Sequence, residues 1–217
     1  MTNGGGHIHL VLPDATERAA CFRMLAAGTG RVVRSFASAE AWIEAEGEDS
    51  CAILLFHWRL PGATNGAALL GRVAARPGIA AFVAAEQLSV AESRAILCGG
   101  ARDLLPAPLD PRLVRRAVDA ALAEGRLRQA MLDRHREAEA RLAALTPRER
   151  AVLDAIAAGL GNKAIARQLE LSPRTVEVHR ANIMRRAGAG NVAELLRLQF
   201  IAEFVRDAPP KRVRFGG

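Results

Sequence analysis

The sequence predicts two structural classes in one chain: an α/β unit with a doubly wound, five-stranded parallel sheet, followed by an all-α unit. Residues 7–109 alternate short apolar strands with helical stretches, which is typical of such a sheet. After Asp110 the strand-like segments stop, and a long helical stretch and four short helices follow. The charge divides at the same place. Residues 1–109 include nine basic and ten acidic residues, whereas residues 110–217 include 21 basic and 13 acidic residues.

Local sequence patterns predict each strand and helix of the first half. Apolar or β-branched runs between turn residues predict strands at Ile8–Leu12, Arg31–Phe36, Ala52–Phe56, Ala80–Ala85 and Asp103–Leu105. The helices between them are predicted at Thr16–Ala27, from a Ser38 cap to Glu46, at Ala67–Ala75 and at Ser89–Cys98. In the first helix we expect Ala19, Phe22, Met24 and Leu25 to be the apolar positions. Ligands of such sheets bind beyond the carboxyl ends of the strands.

A connecting helix is predicted over 110–141, because Pro111 fits a first helical turn and only Gly125 disfavours helix. Its apolar positions form a loose stripe of Leu113, Ala117, Ala121, Leu127, Met131, Ala138 and Leu142. Two interpretations stay open. The helix is either a solvated linker or a continuation of the first domain that pairs with its twin in a homodimer.

Four short helices are predicted over 142–205. Thr146-Pro147-Arg148-Glu149 is a capping box with proline at the first position, and its helix runs through Ala157. The remaining helices are expected over Lys163–Leu169 with Asn162 as cap, from Ser172-Pro173 to Arg186, and from Val192 to Phe204 with Asn191 as cap. Residues 206–217 are expected to form a disordered basic tail.

Composition argues against several classes of protein. No apolar run reaches the ~20 residues of a membrane helix, and the N-terminus lacks the pattern of a secretory signal. Cys21, Cys51 and Cys98 show no CxxC spacing, so reduced thiols and a cytoplasmic location are expected. No nucleophile–base pair or set of metal ligands stands out. We therefore expect no enzymatic activity, no cofactor and no metal site.

The stretch GNKAIARQLELSPRTVEVHRANIMRRA has the form of a helix-turn-helix. Val176, His179 and Ile183 share one face of its second helix. The opposite face carries no large apolar residue and has the small Ala181 near its centre; it holds Arg174, Glu177, Val178, Ala181 and Arg185. A helix that approaches base-pair edges needs such a face.

Residues 142–205 closely resemble the LuxR-type DNA-binding domain through LTPRERAVL, NKAIARQL and LSPRTVEVHRANIMRRAGA. Residues 1–109 resemble, more loosely, the receiver domain of FixJ/NarL-type response regulators. The resemblance implies that the second helix enters the major groove of double-stranded DNA, with Glu177, Val178 and Ala181 facing bases. It implies phosphate contacts or supporting roles for Lys163, Arg174, Thr175, His179, Arg180 and Arg185. His179 is alternatively a packed core residue, and Glu177 a solvated acid.

Receivers of this family use two acids and an acceptor aspartate to hold Mg²⁺, and a hydroxyl and a lysine to contact the phosphoryl oxygens. The resemblance places Leu12 and Pro13 at the acid positions and His57, in LLFHWRLPG, at the acceptor position. Ala85 falls at the hydroxyl position, Ala107 at the lysine position and Leu104 at the switching aromatic. Shifting the alignment by one residue recovers Asp14 but no acid pair. The absence of the acids agrees with the absence of the lysine, because a lysine left without the acids would be an unpaired, partly buried charge.

The sequence therefore predicts a FixJ/NarL-type transcription regulator with a degenerate pseudo-receiver domain, controlled independently of aspartyl phosphorylation. Its partners would be double-stranded DNA and a second copy of the chain, with no membrane partner. A small ligand or a partner protein at the receiver-like domain, the redox state of a cysteine, or expression level would replace phosphorylation. The alternative is an interaction protein whose receiver-like half docks a kinase or another regulator, with DNA binding secondary.

Overall fold

The structure is a computed structural model that describes residues 7–204 except 29, 46–50 and 77. The chain's contacts divide it into two units between Arg126 and Leu127. The strands are β1 His7–Val11, β2 Val33–Phe36, β3 Cys51–His57, β4 Ala80–Ala85 and β5 Asp103–Pro106. The helices are α1 Ala15–Ala26, α2 Ala39–Glu44, α3 Gly66–Ala74, α4 Val90–Cys98, α5 Pro111–Ala143, α6 Pro147–Ala157, α7 Asn162–Gln168, α8 Pro173–Ala187 and α9 Val192–Phe204.

The first unit contains the predicted five-stranded parallel sheet, in the order β2-β1-β3-β4-β5. Because alternate residues of a strand point to opposite faces, each buried strand supplies two apolar layers. One layer packs against α1 and α5, where Leu25 and Val114 are fully buried. The other packs against α2, α3 and α4, where Trp42, Leu69 and Ile96 are buried. The predicted doubly wound arrangement is confirmed.

The second unit is a small helical domain with its own core. Val152, Leu153, Ile165, Val176 and Ile183 are almost fully buried in it. Helix α5 runs without interruption from Pro111 to Ala143, and contributes residues at its start to the first core and residues at its end to the second. Among the helices that the structure describes, none combines the length and apolar character needed to span a membrane.

Several local predictions need correction. Phe22 is 37% exposed, and Cys21 and Leu25 bury the inner face of α1 instead. The stripe predicted for the connecting helix is only partly buried: Ala121, Ala138 and Leu142 are buried, whereas Leu113, Leu127 and Met131 are exposed. Val114 and Val118, which the predicted stripe does not include, are buried as well. The cap of α7 is Gly161, without a side-chain hydrogen bond, and Asn162 is the first helical residue. The predicted end of the second helix at Glu46 and the predicted tail lie outside the described residues.

Most predicted caps are confirmed. Ser38 and Thr146 each accept a hydrogen bond from a backbone N–H in the first turn of their helices. Ser89 and Ser172, which the sequence predicts as the first residues of their helices, are caps of the same kind. Asn191 does the same for α9, accepting from the backbone N–H of Glu194 at 2.8 Å. Such caps satisfy donors that have no partner within the helix.

A buried histidine lies in the sheet of the first unit. The His9 side chain is fully buried, and the indole N–H of Trp42 donates to its Nδ1 atom at 3.0 Å. Its Nε2 atom is buried without a hydrogen-bond partner among the described residues. Burial, together with the nearby charges of Arg34 and His7, lowers the pKa of His9 from 6.5 to about 4. The imidazole is therefore neutral at pH 7.

We predict that this histidine makes the first unit sensitive to acid. The unfolded chain binds the His9 proton below pH 6.5 and the folded chain only below about pH 4. Stability therefore falls as the pH drops through that window, by about 3 kcal/mol at 1.36 kcal/mol per pKa unit. Urea unfolding followed between pH 7 and pH 4 should show a shallower loss for His9→Gln than for the wild type. His57→Gln is the control, and an equal slope in His9→Gln and wild type would contradict the prediction.

Candidate nucleic-acid interface

Helices α7 and α8 form the predicted helix-turn-helix. The turn closes through the backbone N–H of Leu171, which donates to the carbonyl of Ala166 at 2.8 Å. Glu170 has a φ of +54°, a left-handed conformation that glycine adopts at lower cost. The guanidinium of Arg148 on α6 donates to the carbonyl oxygen of Leu169 at the end of α7. The turn is therefore fixed by backbone and side-chain hydrogen bonds as well as by apolar packing.

The first turn of α8 is strongly capped. Ser172 Oγ accepts from the backbone N–H of Thr175 at 3.0 Å, and the two hydroxyl oxygens lie 2.8 Å apart. Pro173 occupies the first helical position. Thr175 thus takes part in the cap of the helix. Its proposed role at a DNA phosphate would be added to this structural one.

The two faces of α8 differ as the sequence predicts. Val176 and Ile183 are fully buried against the domain core. The opposite face is exposed and carries Arg174, Glu177, Val178, Ala181 and Arg185. Lys163, on α7, is exposed as well. This face has positive charge, a small residue near its centre and no large aromatic side chain, which suits an approach to the floor of a DNA groove.

Two of the predicted contact residues already interact with each other. Arg174 Nη1 lies 3.1 Å from Glu177 Oε2, with side chains 85% and 51% exposed. An exposed pair of this kind contributes only about 0–1 kcal/mol, so DNA can displace it at low cost. Arg185 Nη2 donates to Asn182 Oδ1 at 2.8 Å. Glu177, the acid on the exposed face, is therefore paired with Arg174 of the same helix.

His179 and Arg180 are half-buried, between the two faces. The Nδ1 atom of His179 is buried without a hydrogen-bond partner among the described residues. Hydrogen bonds from Thr146 lower the pKa of the neighbouring Glu149 carboxyl, and Arg186 and His179 contribute to the same shift. This burial favours a packing role for His179, one of the two interpretations that the sequence leaves open.

Sequence reasoning missed two arginines that hold α8 in place. Arg186 Nε lies 3.4 Å from the buried Glu149 Oε1, and its Nη1 donates to the carbonyl of Ala144 at 3.3 Å. Arg141, on α5, donates to two carbonyls at the C-terminus of α8. Neither has a signal in the sequence, because each joins residues that are about 40 positions apart.

The positions assigned to the phosphoryl site lie at the carboxyl edge of the parallel sheet. Leu12 follows β1, His57 ends β3, Ala85 ends β4 and Ala107 follows β5. Neighbouring strands bring them together: His57 pairs with Ala84, and the backbone N–H of Ala107 donates to the carbonyl of Ala85 at 2.9 Å. The topology thus gathers the residues that the sequence comparison assigned to this site.

The polar side chains near this edge bind backbone groups. Leu12 is fully buried in the apolar core. Asp14, the acid that a shifted alignment recovers, caps α1 by accepting from the backbone N–H of Glu17 at 2.7 Å. Arg18 Nη1 donates to the carbonyl oxygens of Leu12 and Pro13, at 2.5 and 3.0 Å. Within the described ranges, no three His, Cys, Asp or Glu side chains are grouped so that they could hold a metal ion.

The acceptor position carries an imidazole with one nitrogen already engaged. The backbone N–H of Arg59 donates to His57 Nδ1 at 3.1 Å, so that nitrogen carries no proton. The lone pair used for this hydrogen bond is not available for attack on a phosphoryl group.

Known proteins share both halves of this architecture. Residues 143–199 match the family of bacterial regulatory proteins described as the luxR family. The transcriptional regulatory protein FixJ of Bradyrhizobium diazoefficiens is 36% identical over 212 residues, which cover 93% of this chain and 98% of that protein. The FixJ protein of Azorhizobium caulinodans is 33% identical over 90% of this chain and 92% of its own length.

The chain belongs to the FixJ family.

Solved structures agree with this assignment. The response regulator StyR superposes with a TM-score of 0.70 at 26% identity, covering 90% of this chain and 98% of StyR. Full-length FixJ from B. japonicum gives a TM-score of 0.55 at 31% identity, covering 92% and 98%. As a member of the FixJ family with a luxR-type helix-turn-helix, the chain is a DNA-binding transcription regulator of the response-regulator class.

Proposed function

We propose that this FixJ-family regulator binds its DNA targets as a homodimer and is controlled without phosphorylation of its receiver-like unit. The observation that carries the proposal is the set of residues at the carboxyl edge of the sheet: Leu12, Pro13, His57, Ala85 and Ala107. Mg²⁺ requires hard oxygen ligands, and a transferred phosphoryl group requires a nucleophile and neutralising cations. The side chains at these positions supply no carboxylate, hydroxyl or ammonium group.

DNA recognition divides between two kinds of contact. Glu177, Val178 and Ala181 face base edges in the major groove, where donors, acceptors and methyl groups differ between base pairs. Lys163, Arg174, Arg180 and Arg185 contact phosphates, which all sequences share, and Thr175 and His179 support the helix. The exposed, positively charged outer face of α8 supports this division. Glu177 would accept from cytosine N4–H₂ after leaving Arg174, 3.1 Å away in the free protein.

A dimer is needed because one short recognition helix contacts too few base pairs for tight, specific binding. Two half-sites about one helical turn apart double those contacts. Exposed apolar side chains occur on α5, where Leu127 and Met131 are 59% and 53% exposed, and on α4, where Val90 is 87% exposed. The connecting helix, the receiver faces and the last helix around Val192–Leu198 are the surfaces from which we expect the dimer contacts.

The input that replaces phosphorylation would be a small ligand, a partner protein, the oxidation of a cysteine or expression level. Burial raises the pKa of Cys21 to about 11 and that of Cys51 to about 12, so both thiols stay protonated and unreactive. Only Cys98 of the three is exposed. A redox input would therefore act at Cys98. The alternative of an interaction protein with secondary DNA binding is not favoured, since α8 keeps an exposed basic face.

We predict that acetyl phosphate with Mg²⁺ transfers no phosphoryl group to this protein. Intact-mass spectrometry at neutral pH should show an unmodified chain. The His57→Asp variant should stay unmodified too, because the acceptor alone does not restore the metal ligands. A receiver with all five polar residues serves as the positive control. A stoichiometric, acid-labile gain of one phosphoryl group by the wild type would overturn the proposal.

We predict two chains on each operator. The operator is first selected from random duplexes at low salt. Sedimentation equilibrium of the protein on that duplex should then give two protomers per site, and a duplex with one half-site should bind much more weakly. One chain per duplex at saturation would contradict the dimer.

We predict that mutation of a phosphate-contacting residue and mutation of a base-contacting residue have different effects on DNA binding. Arg180→Ala should weaken binding to operator and scrambled DNA by similar factors, and should lower the slope of log K against log salt by about 1. Glu177→Ala should keep or raise affinity for scrambled DNA, because the change removes an acid and leaves Arg174 unpaired. It should lower discrimination at about one base pair per half-site by roughly 1–3 kcal/mol.

These variants are compared by titrations of both duplexes at two salt concentrations. Asp133→Ala, which removes an exposed acid from α5, controls for the change in net charge. If Glu177→Ala keeps full discrimination while Arg180→Ala abolishes it, α8 is rotated from the proposed docking.

A further inference from the structure

The C-terminus of the recognition helix is held from outside that helix. Helix α8 ends at Ala187, and Gly188 adopts the left-handed conformation with a φ of 61°. The last carbonyls of a helix have no partner within it. Here the carbonyl oxygens of Ala187 and Gly188 accept from Nε and Nη2 of Arg141, each at 2.7 Å. A cation near these carbonyls also interacts favourably with the dipole of the helix.

The guanidinium of Arg141 is fixed by acids as well. Its Nη2 lies 3.2 Å from Glu194 Oε1, and its Nη1 lies 3.9 Å from Glu137 Oε1. The second oxygen of Glu194 accepts from the backbone N–H of Gly190 at 2.9 Å. That hydrogen bond and Arg141 lower the pKa of Glu194, so the carboxylate stays charged at neutral pH. One guanidinium thus joins α5, the end of α8 and the start of α9.

This arrangement supplies directional contacts that the apolar core lacks. The core sets the depth at which α8 sits, through Val176 and Ile183. Apolar attraction is not directional, so burial by itself fixes the position of a helix end less sharply than hydrogen bonds do. Two short hydrogen bonds to consecutive carbonyls fix one end of the helix in position. A lysine could not reproduce them, because it lacks the planar fork of donors.

We propose that Arg141 is a positioning residue for sequence readout, a role that rests on the proposed function. By holding the end of α8, it keeps Glu177, Val178 and Ala181 in one orientation towards the bases. Hydrogen bonds to base edges require placement within about 0.5 Å, whereas phosphate attraction is long-ranged and tolerant of shifts. Loss of Arg141 therefore reduces discrimination between sequences much more than it reduces affinity for random DNA.

Arg141 itself is not a phosphate contact in this proposal. Its side chain is 27% exposed, and its donors already bind two carbonyls and a carboxylate. Removing it should leave the salt dependence of binding unchanged. This separates Arg141 from a DNA-contacting arginine, whose loss lowers the salt slope by about 1.

The test uses the full-length chain and the selected operator, with scrambled duplex as reference. The variants are Arg141→Gln and Arg141→Lys. Arg136→Gln is the matched control, because it removes an arginine from the same helix that is 71% exposed and pairs only with Asp133 among the described ion pairs. Circular dichroism establishes the temperature range in which every variant is folded. If Arg141→Gln does not fold, Arg141→Lys, which keeps the charge and most of the side chain, carries the test.

We expect Arg141→Gln to reduce the ratio of operator to scrambled affinity at least tenfold, with scrambled affinity within about threefold of wild type and an unchanged salt slope. For Arg141→Lys, the ratio of operator to scrambled affinity should lie between that of Arg141→Gln and that of the wild type. For Arg136→Gln, the ratio should match the wild type. A lowered melting temperature with full discrimination would assign Arg141 a structural role only and overturn the inference. A salt slope lower by about 1 would overturn it by making Arg141 a phosphate contact. A wild-type protein that discriminates no duplex from random DNA would instead overturn the proposed function, and the inference with it.

Discussion

The DNA-binding unit depends on one buried carboxylate. Glu149 is 3% exposed, and its Oε2 atom accepts from both the backbone N–H and the hydroxyl of Thr146, at 2.9 Å each. Its Oε1 atom lies 3.4 Å from Arg186 of the recognition helix. These hydrogen bonds and the arginine lower the pKa of Glu149, so its charge is maintained. A single side chain therefore completes the capping box that Thr146 opens at α6 and pairs with an arginine of α8. A buried charge is stable only when it is paired in this way.

The first unit is held together by apolar packing instead of a buried charge. Apolar layers cover both faces of its sheet, and the polar side chains near the carboxyl edge of the sheet form hydrogen bonds with backbone groups. Asp14 caps α1, and Arg18 binds the carbonyl oxygens of Leu12 and Pro13. Glu40 of α2 accepts from the backbone N–H of Thr64 at 2.7 Å, and so holds the loop after β3. These side chains are committed to holding the loops of the fold.

The sequence was sufficient for the class, order and approximate bounds of the elements, because periodicity and caps are local signals. The α7–turn–α8 motif and the two faces of α8 followed from spacing alone. Local patterns failed where burial depends on tertiary contacts. Phe22 and Met131 fit a helical stripe but are exposed, whereas Val114 and Val118 are buried against the sheet.

The long-range polar contacts were also beyond the reach of the sequence. Nothing near Arg141 in the chain indicates that it meets the carbonyls of residues 187 and 188. Its neighbours, Glu137 and Glu139, suggest only a solvated helix with charged pairs. The pairing of Arg174 with Glu177 could have been anticipated, since residues three apart are neighbours on a helix.

The burial of Leu12 has an evolutionary consequence. This side chain is fully buried among the apolar residues between the sheet and its flanking helices. A carboxylate there would lose its hydration, and burial of even a neutral polar group without a compensating hydrogen bond costs roughly 2–7 kcal/mol, which is comparable to the whole stability of a small domain. A descendant could acquire an acid at position 57 in one step, but not at position 12 without repacking the surrounding core. Under the proposal that the acid pair was lost, each improvement in packing around Leu12 makes a return to metal-dependent chemistry harder to reach by single substitutions.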